Sequence, residues 1–140
     1  MRGWNSPRYD AVVDATAALD AVRHRFALKS VVLVGHSMGG RVAARLAAGG
    51  QIGAVVALAP YWPRDDGDLI PASTRLLVVH GTADARTDPE SSRIQTLRAQ
   101  QRGIDAQWVG IDGVGHSMLG RRHEWHRHTT NFVAEHLGAR

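Results

Sequence analysis

Three residues in this chain are of types that together can cleave an acyl bond: Ser37, Asp84 and His116. Ser37 lies in Gly35-His36-Ser37-Met38-Gly39-Gly40, Asp84 ends Val79-His80-Gly81-Thr82-Ala83-Asp84, and His116 ends Asp112-Gly113-Val114-Gly115-His116. A serine hydroxyl is a poor nucleophile at neutral pH unless a nearby base takes its proton, and an imidazole base needs an anion to fix its tautomer. The sequence holds no cysteine, which excludes disulfides, thiol nucleophiles and thiolate metal sites. Hydroxyl, imidazole and carboxylate are therefore the available chemistry.

The G-x-S-x-G spacing around Ser37 calls for a sharp strand-to-helix turn that lifts the serine Oγ clear of a sheet. Glycines at Gly35 and Gly39 are expected because a Cβ at either would strike neighbouring backbone. At a helix N-terminus, the Met38 amide and the helix dipole can stabilise a developing oxyanion. Met38, Gly39 and His36 are thus expected around the reacting oxygen. Trp62, with Tyr61, follows the second strand and is expected either to line an acyl pocket or to pack under a long loop.

Those residues need a scaffold. Ser6-Pro7 predicts a helix start, and Tyr9, Val12, Val13, Thr16, Leu19, Val22 and Phe26 then recur at helical spacing as one apolar stripe against a core. Ser30 to Val34 is a β-branched run of the kind buried on both faces of a parallel sheet. A helix from Met38, carrying Val42 and Leu46, stops at Gly49-Gly50. Ala54 to Ala59 and Leu76 to Val79 read as strands around a Pro- and Asp-rich loop over Pro60 to Thr74. Asp88-Pro89 caps a helix carrying Ile94 and Leu97 to near Gly103, Ala106 to Ile111 is a fourth strand, and a last helix spans about Arg121 to Leu137. The alternation predicts one α/β domain over residues 1–140, a parallel sheet of about four strands with helices on both faces. Ser37, Asp84 and His116 each follow a strand, so all three meet at the carboxyl edge of that sheet.

With these motifs in place, the chain resembles the α/β-hydrolase fold family over essentially its whole length, as the C-terminal part of that fold. The resemblance implies that Ser37 attacks an acyl carbon, His116 shuttles the proton and Asp84 orients the imidazole. Ester hydrolysis is the implied activity, with thioester, lactone and amide hydrolysis and perhydrolysis open to the same groups. It also implies that further strands precede this segment, and that the loop after one of them supplies a second oxyanion donor. Met1-Arg2-Gly3-Trp4-Asn5-Ser6 resembles a stretch found midway through relatives. The first strand is then expected to carry an unpaired apolar edge, and a homodimer pairing two such edges is one way to cover it.

Rival assignments are weaker. Ser117 repeats part of the serine motif, but Leu119 replaces its second glycine. Asp88 sits where a helix cap belongs, and Asp112 lies in the histidine loop. His80-Gly81 follows the wrong strand for an oxyanion-hole pair and reads as structural. His123 and His126 share a helix face without a further ligand at metal spacing, so neither metal nor cofactor is expected.

Composition bounds the partners. The net charge is +4, and the 17 basic residues are 16 arginines and one lysine, scattered rather than gathered into a patch suited to nucleic acid. The apolar runs fall far short of the ~20 residues of a membrane span. No apolar segment follows the N-terminal charge, so a cytoplasmic protein with a small-molecule acyl substrate is expected, without nucleic acid or membrane.

Overall fold

The computed structural model describes residues 10–138. Its elements are α1 (Asp10–Arg25), β1 (Val32–His36), α2 (Met38–Ala48), β2 (Ala54–Leu58), β3 (Arg75–Gly81), α3 (Pro89–Gln101), β4 (Ala106–Ile111) and α4 (Arg122–Leu137), with short 3₁₀ turns at Asp66–Leu69 and Leu119–Arg121. The four strands form one sheet in the order β1-β2-β3-β4, and every pair is parallel. The expected fold class is what the chain adopts. The start of the first helix at Ser6-Pro7, and Tyr9, lie outside the described residues.

Period-two alternation builds two cores. All five residues of β2 are buried. Val55 and Ala57 face Ala43, Ala44 and Ala47 of α2 and Ala99 of α3. Ala54, Val56 and Leu58 face the other way, toward Val79, Ile111 and Phe132 of α4. Alanines on α2 let that helix sit close to the sheet, while Phe132 fills the opposite layer. Helices therefore cover both faces, α2 and α3 on one and α4 on the other.

Two expectations, on β1 and α1, need correction, and α3 adds a finding of its own. The first strand runs from Val32 to His36, not Ser30 to Val34, because Gly35 and His36 pair with Ala57 and Leu58. It is only half-buried, with Val34 52% exposed, since among the described residues β1 pairs with β2 alone and no strand lies on its other edge. The stripe on α1 is likewise not buried. Leu19 touches the core, but Val13, Val22 and Phe26 are exposed. An apolar groove of about 730 Å³ separates α1 from β1 and α2, lined by Leu19, Val31, Leu33, Val34, Val42 and Leu46 among others. On α3, finally, Ile94 and Leu97 face outward, and the buried face is Ser92, Gln95, Thr96 and Ala99. That face is polar because it hydrogen-bonds to what lies beneath: Gln95 receives the Gly67 amide and donates to the Trp62 carbonyl.

No described helix is long and apolar enough to cross a membrane.

Candidate active site

Ser37 stands between the end of β1 and the start of α2 with φ 54° and ψ −116°. A non-glycine residue at this φ is strained, and such strain persists only where the surroundings over-determine it. Here they do. The Ser37 amide donates to Leu58 O at 2.9 Å, and its carbonyl accepts from Tyr61 N at 3.0 Å and Gly40 N at 3.1 Å. A Cβ on Gly35 would lie 2.2 Å from the Gly39 carbonyl oxygen, so only glycine lets strand and helix close this tightly. The same reasoning fails for Gly39, where an added Cβ meets nothing within 4 Å. The second crowded position is Gly40, whose Cβ would come within 3.0 Å of Pro60 Cβ.

Strands β3 and β4 carry the other two groups to the same edge. Strand β3 runs two residues beyond Val79, pairing His80 with Gly110 and Gly81 with Ile111 of β4, and the two following loops then lie against each other. The Ala83 amide donates to Val114 O at 3.1 Å.

This arrangement joins all three sequence-predicted groups. His116 Nε2 is 3.0 Å from Ser37 Oγ, and His116 Nδ1 is 2.8 Å from Asp84 Oδ2. An imidazole protonated on Nδ1 donates to the carboxylate and turns its bare Nε2 to the serine hydroxyl. The Asp84 side chain is fully buried. Oδ1 accepts from the amides of Arg86 at 2.8 Å and Thr87 at 3.0 Å, and Oδ2 accepts from the Thr87 hydroxyl at 2.7 Å. Burial pushes this carboxyl up. Hydrogen bonds from the Thr87 amide, His116, the Thr87 hydroxyl and the Arg86 amide outweigh that and hold it well below the usual carboxylate range.

The rivals lie elsewhere. Asp88 caps α3, accepting from Glu90 N at 3.0 Å, and Asp112 accepts from the Thr82 hydroxyl at 3.2 Å. Ser117 is exposed.

The neighbouring residues divide by position. Met38 opens α2, where first-turn amides have no intrahelical acceptor. Gly39 borders the apolar groove. His36 is exposed, and its Nε2–H donates to the His116 carbonyl at 2.8 Å with the two rings 4.9 Å apart. Trp62 is buried at 4% exposure, its indole N–H donating to Gly40 O at 3.2 Å, so it packs beneath the loop and ties that loop to α2. The same loop is anchored by buried Asp66, whose Oδ1 is 3.1 Å from Arg41 Nε and 2.7 Å from Arg45 Nη2.

Two further residues lie beside the acid: Thr87, which no motif marks, and His80, expected only as a structural residue. Thr87 touches both Asp84 and His116, and His80 is fully buried with Nε2 3.1 Å from Asp84 Oδ2. The only sequence signal for His80 was its i−4 position from Asp84, which the strand end converts into contact. Among the described residues, no group of three His, Asp or Glu side chains is arranged to hold a metal ion.

A chain of Ser hydroxyl, imidazole and buried carboxylate can activate the hydroxyl toward a carbonyl carbon. Among solved structures, a putative α/β hydrolase of unknown function from Agrobacterium tumefaciens is similar, with TM-score 0.82 and 22% identity over 91% of this chain and 60% of that one. An α/β serine hydrolase homologue from Coxiella burnetii matches with TM-score 0.70 and 23% identity, over 81% of this chain and 54% of that one. Est1E from Butyrivibrio proteoclasticus matches with TM-score 0.75 and 16% identity, over 91% and 69%. The chain thus spans about three fifths or less of the first two relatives. A search of curated proteins finds no match. The model of the alpha/beta hydrolase family matches residues 4–133, and the chain belongs to that family.

Proposed function

We propose that the protein is a serine hydrolase that cleaves a small or medium carboxylic ester, or a related acyl bond, through a covalent acyl-enzyme. The observation that carries this reading is the continuous contact from Ser37 Oγ through His116 to Asp84, at 3.0 Å and 2.8 Å. Ser37 Oγ attacks the acyl carbon while His116 Nε2 takes its proton. The tetrahedral oxyanion is met by the Met38 amide and the N-terminal dipole of α2. Collapse breaks the ester C–O bond, and the imidazolium returns its proton to the leaving alkoxide. Water then attacks the acyl-enzyme with the same base and acid steps, releasing the carboxylic acid and Ser37. Asp84 remains ionised throughout and stabilises the imidazolium.

A fluorophosphonate probe tests this, because phosphonylation requires an activated serine. Labelling of Ser37, found by peptide mass spectrometry and lost in Ser37→Ala, supports the reading. Labelling that is absent, or unchanged by the substitution, contradicts it.

A second reading rests on the unpaired edge of β1 and the apolar groove beside it. In it the chain is a weak or inactive module until this edge is covered, by a second copy pairing edge to edge or by further chain. An oxyanion site with one donor fewer runs ~10²–10³ slower, so the two readings differ in turnover rather than in the chemistry of Ser37.

A further inference from the structure

We infer that His80 is a positioning residue of the site, a neutral imidazole that donates from Nε2 to Asp84 Oδ2 and so sets the basicity of the carboxylate that orients His116. The inference rests on the functional reading of Ser37, His116 and Asp84 above.

The tautomer follows from counting protons. Ser92 Oγ has three close neighbours: Trp108 Nε1 at 3.0 Å, His80 Nδ1 at 2.8 Å and the Pro89 carbonyl at 2.9 Å. The indole can only donate, and Ser92 has one proton to give. If that proton goes to Pro89, His80 Nδ1 must donate to Ser92. Nε2 is then either bare against a carboxylate oxygen at 3.1 Å, which is repulsive, or the ring is a buried cation. Burial drives His80 below the usual imidazole range despite the neighbouring Asp84. The consistent state has Ser92 donating to Nδ1 and Nε2–H donating to Asp84. Its second neighbour, Thr87 Oγ1 at 3.1 Å, directs its own proton to Asp84 Oδ2.

Asp84 Oδ2 thereby receives His80, Thr87 and His116. Each donor withdraws charge from the same oxygen, so His80 competes with His116 for it. A hydrogen-bonded path from Trp108 on β4 and Ser92 on α3 through His80 reaches the acid from behind, which gives Ser92 a role on the polar inner face of α3. The titratable groups facing His80 are Asp84, His116 and Asp88, and His36 faces His116 on its far side.

The test compares wild type with His80→Phe, which keeps a ring but no donor, and His80→Gln, which restores a donor near Nε2. Two readouts are taken: the pH profile of kcat/KM on p-nitrophenyl acetate, and the low-field proton resonance of the His116 Nδ1–H···Asp84 bond. For His80→Phe, kcat falls about tenfold with KM little changed. The acid limb moves up by roughly half a pH unit, because an Asp84 relieved of one donor holds the imidazolium more strongly. The resonance moves downfield, and His80→Gln returns both readouts toward wild type. Should His80→Phe not fold, Ser92→Ala frees the other ring nitrogen and shifts both readouts the same way by a smaller step. Unchanged limb and resonance in the variants overturn the inference. Absence of Ser37-dependent turnover in wild type overturns the functional reading instead, and the resonance still decides the role of His80.

Discussion

A Cβ on Gly35 would lie 2.2 Å from the carbonyl oxygen of Gly39, and that contact makes the serine turn possible only with glycine at its first position. Gly35→Ala is expected to cost about 3 kcal/mol or more, because the clash is with backbone and no side chain can move aside. Gly39→Ala meets open space and gains helix propensity, so it should be neutral or stabilising by up to about 1 kcal/mol. Urea denaturation midpoints of the two variants check the contrast.

The pH dependence of stability follows from Asp84. Its folded-state pKa lies below the unfolded value, so its contribution is fully present above the unfolded pKa and is lost as pH falls through the folded one. Melting temperature should drop as pH is lowered below about 4, and Asp84→Asn should show a flatter acid limb there. Thermal melts of both proteins across the acid range read the difference, and parallel limbs would remove Asp84 as its source.

Asp66, with no exposed surface, joins Arg41 and Arg45 of α2 to the loop that follows β2. Asp66→Ala is expected to destabilise by about 3 kcal/mol, since it takes the anion from a guanidinium, that of Arg41, that is itself buried. Chemical denaturation measures the loss, and a change under about 1 kcal/mol would show that the pair is not limiting.

The edge of β1 that no described strand pairs predicts association. Sedimentation velocity should show species that grow with concentration, and Val34→Lys, placed on the exposed edge strand, should reduce them without altering the circular dichroism. A monodisperse monomer at all concentrations would count against pairing through this edge.

The sequence was legible where one physical demand dominated. The run Ala54 to Leu58 is uniformly apolar because it is buried on both faces, and Asp88-Pro89 announces a helix cap. The meeting of the three candidate residues at one sheet edge was legible because each follows a strand in a parallel sheet. Periodicity misled on α1, and on α3 it offered no core face. Apolar spacing on α1 shows a stripe but not whether anything covers it, and Val13 and Val22 stay exposed. On α3 the buried face is built from Ser92, Gln95 and Thr96, whose burial depends on partners in β3, β4 and the loop after β2 that no local pattern reveals. His80 reads as structural, and its contact with Asp84 was illegible for the same reason. Its contact with Asp84 depends on β3 continuing to Gly81, two residues past the apolar run.

The most direct test of the account is hydrolysis of a short-chain p-nitrophenyl ester by the purified protein beside Ser37→Ala, with both shown to be folded. The account predicts turnover in the wild type that Ser37→Ala abolishes. Equal rates in the two folded proteins would contradict it.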